Sequence, residues 1–396
     1  MTGRTEKYTA RIETLRDAMS AHGVDAVFLA PSGDMEYVTG LRRRPPDPVE
    51  TSFQGDDLLG ILVTRDRVIT LLPASSAIHG VEGLLRDCPW LTEEVFRLPK
   101  GVDQAAEGYA VFGTLGLADA TVALPRFAQA MTVINLSRHY PHMQFVNTDT
   151  FMDPLRAMRD PDDIELIRAA CRITDAVFRH VISTLRVGDE VADVIREINA
   201  QMVKQGAEGP SFNTMLLFGG PQTQRQEFPQ PSFAGPGGLN AVLVPGTVLA
   251  FDFGVLYEGW CSDFGRTVYI GEPSPAMLHD HQLVADSQQA AMDIMRGGEV
   301  TGAQADAAAR KVFADAGRGE EFIHGLGHGV GVNVHEPPSI GAGGDTILQN
   351  GMTLAVEPSL WVDHRYFVRV EDVVVVTPTG AETLHGIPTR DIFVIE

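Results

Sequence analysis

Four carboxylates stand inside apolar, strand-like runs in the last third of the chain, and they limit what those runs can become. Asp252 and Asp263 lie in FDFGVLYEGWCSDFGRT, Glu357 in LAVEPSLW and Glu371 in VRVEDVVVV, with His328 between the pairs in HGLGHGVGVNVHEP. Runs so rich in Val, Leu and Phe are core strands. A carboxylate buried among them is costly unless something pairs with it, and a cation is the most effective partner.

Strand alternation gives the spacing its meaning. A hairpin turn between Tyr257 and Glu258 sets Asp252 directly opposite Asp263, with both side chains on one face, and a turn centred on His364 does the same for Glu357 and Glu371. Facing like charges repel, so without a cation at least one acid of each pair takes up a proton. Arg369, two residues before Glu371, shares its face and is placed to orient a carboxylate. Glycines 325, 327, 329 and 331 flank His328 and leave its imidazole unshielded. Four carboxylates and one imidazole suit hard or borderline divalent ions such as Mn²⁺, Zn²⁺, Co²⁺ or Fe²⁺. Two such ions about 3.5–4 Å apart could share Asp263 and Glu371 and polarise a water between them.

A chain of 396 residues is long enough for two domains. Residues 8–21 read as an amphipathic helix, and 26–30, 58–63, 68–72 and 121–124 as strands, which makes the first part an α/β domain. The boundary falls near RAMRDPDDIELIRAACRITDAVF, where Asp160 is a helix N-cap and Pro161 suits the first helical position. The expected domains are therefore 1–155 and 156–396. In the second, a helix–helix–hairpin pattern occurs twice: residues 164–185 and 191–205 precede the Asp252/Asp263 hairpin, and 280–296 and 302–316 precede the Glu357/Glu371 hairpin.

Composition excludes several partners. A formal net charge of −21 argues against nucleic acid or an anionic membrane, because phosphate binding requires basic patches. Three distant cysteines, Cys88, Cys171 and Cys261, give neither a disulfide framework nor a Cys-rich zinc site. No apolar run approaches the roughly 18 residues of a membrane helix, and the opening MTGRTEKYTARIETLRDAM lacks a secretory pattern, so a cytoplasmic location is expected.

These motifs resemble the pita-bread metallohydrolases, the group of creatinase, prolidase, aminopeptidase P and methionine aminopeptidase. The resemblance rests on Asp252-Phe253-Gly254, on Ser262-Asp263-Phe264-Gly265-Arg266-Thr267, on the glycine-rich loop of His328, on Glu357-Pro358 and on Arg369-Val370-Glu371-Asp372. GVDAVFLAPSGDMEYVTG and GAEGPSFNT extend it over nearly the whole chain, nearest the Xaa-Pro dipeptidase branch. It implies a creatinase/prolidase-like amino-terminal α/β domain, then a pita-bread α+β domain with a pseudo-twofold repeat. It implies two divalent metal ions per chain: Asp252 on one, Asp263 and Glu371 bridging, His328 and Glu357 on the other. It also implies a proton-passing role for Glu357, a substrate hydrogen bond from His335, a catalytic role for Arg369, substrate contacts from His324, and a homodimer. In the family, the loop corresponding to Arg42, Arg43 and Arg44 can reach a neighbouring subunit's site. The activity implied is hydrolysis of a dipeptide or similarly small C–N substrate, of the Xaa-Pro dipeptidase or aminopeptidase P type.

The pattern departs at one place. Peptidases of this group carry a histidine shortly before the first Asp, but this sequence has none between His180 and His279. The corresponding stretch offers Gln222, Gln224, Arg225, Gln226 and Gln230. That favours an alternative on the same fold: a metal-dependent lyase or amidohydrolase of a small osmolyte-like metabolite, similar to dimethylsulfoniopropionate lyase or ectoine hydrolase.

Overall fold

The computed structural model describes residues 2–42, 56–72, 83, 85–98, 104–220, 240–362 and 365–396. The chain divides into two compact units, Met1–Arg156 and Ala157–Glu396.

The first unit is built on a mixed sheet. Its strands are β1 (Ala26–Leu29), β2 (Gly60–Thr64), β3 (Val68–Leu72), β4 (Val95–Arg97), β5 (Thr121–Leu124) and β6 (Gln144–Asn147), in the order β4-β3-β2-β1-β5-β6. The central strand β1 pairs antiparallel with β2 and parallel with β5, and all four of its residues are buried. A strand covered on both faces reads as a continuous apolar run, as AVFL does. The helix Thr2–Ala21 buries Ile12, Leu15 and Met19, one face at helical spacing. It begins earlier than residue 8, and its polar first turns carry no apolar stripe that would announce it.

In the second unit, the helix Pro161–Thr184 opens with a capping box in which Asp160 and Asp163 satisfy each other's backbone amides. It is followed by the helix Val191–Lys204 and then by β7 (Gly209–Pro210), β8 (Met215–Gly219), β9 (Val248–Phe253), β10 (Val255–Tyr257), β11 (Trp260–Cys261) and β12 (Phe264–Ile270). The pattern repeats with the helices Pro275–Ile294 and Gly302–Asp315. After them come β13 (Gly327–Gly329), β14 (Glu336–Ile340), β15 (Thr353–Val356), β16 (Ser359–Val362), β17 (Tyr366–Arg369), β18 (Glu371–Thr377), β19 (Gly380–Thr383) and β20 (Phe393–Ile395).

The large sheet runs β14-β13-β15-β18-β12-β9-β8, with β19 on β18 and β20 on β12. One apolar cluster joins Phe178 to Phe251, Phe253 and Phe264, and a second joins Phe313 to Leu326, Leu354 and Val356. Burial on this scale, at about 25 cal/mol per Å² of apolar surface, holds the sheet rigid around its central strands. Those strands carry the acids.

The first acidic hairpin corrects the expected register. Tyr257 pairs with Trp260 and Asp252 with Gly265, so the turn falls on Glu258 and Gly259, with φ of 47° and 85°. Two positive φ values define the type I′ turn that matches strand twist, and glycine at the second position makes it accessible. The register therefore shifts by two residues. Asp252 and Asp263 keep to one face but are diagonal neighbours, not direct opposites. In the second hairpin, Ser359 opposes Arg369 and Val356 opposes Asp372, the register of a turn at His364, which itself lies outside the described residues. That hairpin divides: β16 and β17 form a separate two-stranded sheet, while β15 and β18 stay in the large one. Glu357 and Glu371 flank the division.

Candidate metal centre

Each acid sits at a strand end in the middle of the large sheet. Asp252 is in the last turn of pleat of β9, Asp263 immediately precedes β12, Glu357 follows β15, and Glu371 starts β18. One carboxylate oxygen from each of Asp252, Asp263 and Glu371 lies within 4.8 Å of the other two, and all three residues are buried. Gly265 makes the approach possible: a Cβ there would stand 2.8 Å from Glu371 Oε2 and 2.9 Å from Arg369 Cδ.

His328 completes the group from β13. Its Nε2 lies 3.6 Å from Asp263 Oδ2 and 3.5 Å from Glu357 Oε1, too far for good hydrogen bonds. Its Nδ1 lies 3.1 Å from the Gly329 carbonyl, which can only accept, so Nδ1 carries the proton and the Nε2 lone pair faces the carboxylates. Burial pushes the imidazole below its usual range, favouring this neutral form.

Among the described residues, Arg369 is the guanidinium that lies against these carboxylates. It hydrogen-bonds Asp252 Oδ2, lies 3.0 Å from Glu357 Oε2, and lies 3.6 Å from Glu371 Oε2. Its charge does not balance theirs. Burial pushes Asp252 up to about 6 despite Arg369. Burial first, and neighbouring carboxylates second, hold Asp263 and Glu371 well above the ordinary carboxylate range. Glu357 is also raised by burial, with Arg369 pulling the other way.

Two further histidines expected at the site lie beside it. The His335 ring is 4.3 Å from that of His328, tilted by 53°, and is exposed. His324 donates from Nδ1 to Gly325 O at 2.7 Å, so its Nε2 accepts from the Ser359 hydroxyl. Burial, and then Arg369, lower its pKa to about 3. Arg42 belongs to the first unit, 2.7 Å from Glu36, and Arg43 and Arg44 lie outside the described residues. So do Gln222, Gln224, Arg225, Gln226 and Gln230. Cys261 is buried, with its thiol 3.6 Å from Val332 O.

Other contributors have no signal in the spacing. Arg159 and Glu336 form an ion pair 2.8 Å long with side chains 1% and 0% exposed, and Glu336 Oε1 accepts from Asn333 N at 2.7 Å. That pair anchors the loop which ends in His335. His385, behind the sheet, reaches the main chain of Asp263. The only trace of these in the sequence is charge inside apolar surroundings.

The donor set fits divalent cations. Asp263 Oδ1 and Glu371 Oε2 are buried without hydrogen-bond partners, and beside them an imidazole lone pair faces carboxylate oxygens. Acceptors turned toward acceptors are costly unless a cation or a shared proton lies between them. Carboxylates with one imidazole are a set that transition metals of borderline hardness accept.

An α/β unit followed by a repeated α+β unit that carries a buried acidic cluster is an arrangement able to hold metal. The model of metallopeptidase family M24 matches residues 165–378, and that of the creatinase/prolidase N-terminal domain matches residues 11–158. The chain belongs to metallopeptidase family M24, and it is a hydrolytic peptidase with the pita-bread fold. Its relatives include an Xaa-Pro dipeptidase of Pyrococcus furiosus, 30% identical over 94% of this chain and 97% of the relative. Another, an Xaa-Pro dipeptidase of Lactobacillus delbrueckii subsp. lactis, is 29% identical over 93% and 95%. Among solved structures, dipeptidase PepE of Mycobacterium ulcerans superposes with a TM-score of 0.81 at 28% identity, covering 99% of this chain and 98% of that one.

Proposed function

We propose that the protein is a dipeptidase of the Xaa-Pro type that uses two divalent ions held by Asp252, Asp263, His328, Glu357 and Glu371. The observation that carries this reading is the pair of buried oxygens on Asp263 and Glu371 that make no hydrogen bond, beside the His328 lone pair. The names of the relatives supply the substrate class. When bound, such ions supply Lewis acidity toward a carbonyl and a nucleophile from water at neutral pH.

The chain's own residues do the rest. Glu357, between Arg369 and His328, is the carboxylate that in this reading passes a proton to a leaving amine. Arg369 fixes the carboxylates of Asp252 and Glu357 in one orientation. His335, whose ring lies 4.3 Å from that of His328, donates to a substrate oxygen in this reading. The same reading includes a homodimer in the cytoplasm acting on a small or dipeptide substrate, without nucleic acid or membrane.

Assay of the Mn²⁺- or Co²⁺-loaded protein on Xaa-Pro and other dipeptides tests it. Release of free proline is expected; no turnover of any dipeptide at full metal occupancy would sink the peptidase version. The histidine-free stretch from Val181 to Leu278 favours a second reading, elimination or amide hydrolysis on a small zwitterionic osmolyte. Acrylate or ammonia release from such compounds, without dipeptide turnover, would decide for it.

A further inference from the structure

Asp263 and Glu371 both sit where one strand gives way to the next. Asp263 falls between β11 and β12, in neither, and Glu371 is the first residue of β18, just past the division from β17. Buried side chains add to the hold on the main chain there.

His385 Nε2 lies 3.0 Å from the Asp263 carbonyl oxygen, an acceptor only, so the ring donates there. Its Nδ1 lies 2.8 Å from Asp175 Oδ1, and the Gly386 amide donates to the other Asp175 oxygen at 2.6 Å. The His385 side chain is 0% exposed, with its ring 5.0 Å from that of Phe264. From the same helix as Asp175, the Thr174 hydroxyl lies 2.6 Å from that of Ser262, the residue before Asp263. The other acid is held alike. Arg266 donates to the Glu371 carbonyl at 2.7 Å and to Asp372 Oδ1 at 2.7 Å. Each of the two acids thus has its main-chain carbonyl gripped by a buried basic side chain that an aspartate anchors.

We propose that His385, anchored by Asp175, is a positioning residue for the metal centre: its hydrogen bond fixes the Asp263 peptide so that this carboxylate stays beside that of Glu371. The proposal rests on the reading of Asp263 as a metal ligand. Fully enclosed behind the sheet, His385 has no access to substrate and acts only through Asp263. Partners that orient a ligand typically change metal affinity 10- to 100-fold when removed, because a ligand free to rotate must be ordered again at each binding event.

Calorimetric titration of the metal-free protein with Mn²⁺ or Co²⁺ tests it, alongside thermal melting as a control on folding. His385→Leu is expected to weaken metal binding by about tenfold or more while still melting cooperatively, and His385→Gln, whose amide can donate to the same carbonyl, to recover most of that affinity. If His385→Leu does not fold, the double variant Asp175→Leu/His385→Leu, which leaves no unpaired buried charge, carries the same comparison. A folded leucine variant with wild-type affinity would overturn the proposal. So would a glutamine variant as weak as the leucine one, since ring packing and not the hydrogen bond would then be responsible. Wild-type protein that binds no metal would instead overturn the metal reading itself.

Discussion

At the scale of the residue, the centre holds more buried carboxylates than Arg369 can offset. Burial raises the Asp252 carboxyl from the ordinary 3.8 to about 6, so the folded state holds this proton more tightly than the unfolded chain. The stability it contributes is complete below about pH 4 and is lost as pH climbs through about 6. Metal-free wild-type protein should therefore lose stability relative to Asp252→Asn over that window, as read from denaturation midpoints. Metal must displace the same protons, so binding at pH 6 should release them, measurable as a dependence of binding heat on the ionisation enthalpy of the buffer. Gly265→Ala places a methyl 2.8 Å from Glu371 Oε2. We expect it to abolish tight metal binding while leaving circular dichroism largely unchanged.

At the scale of the element, the turn and the buried ion pair can be tested separately. Glu258 holds a φ of 47°, which asparagine adopts more readily, so Glu258→Asn should stabilise the protein by about 0.5 kcal/mol in denaturant unfolding. Arg159→Met leaves the Glu336 carboxylate buried and unpaired. It should cost about 3 kcal/mol, with Glu336→Gln in the same background recovering part of the loss. These two cases also show what the sequence conveys. Acid positions and strand alternation put Asp252 and Asp263 on one face, because the two-residue period survives an even shift in register. The shift itself was hidden, since it depends on which residue takes the left-handed turn conformation, and the Glu-Gly pair at 258–259 is a weak signal for that. Arg159–Glu336 and His385–Asp175 join residues 177 and 210 positions apart. No local period encodes such pairings; only the packed fold brings them together.

At the scale of the whole molecule, the candidate ligands belong to one unit. Local patterns exposed most of the architecture: Pro161 after Asp160 marks the helix that opens the second unit, and the recurring helix–helix–strand order marks its repeat. All five candidate ligands lie in Ala157–Glu396, so metal should slow amide exchange around β9, β12, β13, β15 and β18 and leave β1 to β6 of the first unit unchanged. Equal protection of both units by metal would contradict that assignment. In the proposed centre, the acids and His328 converge to hold two cations. Anomalous diffraction from crystals of the manganese-loaded protein tests this most directly. We predict two peaks about 3.5–4 Å apart, within coordination reach of Asp252, Asp263, His328, Glu357 and Glu371. No peak among these residues at saturating metal would contradict it.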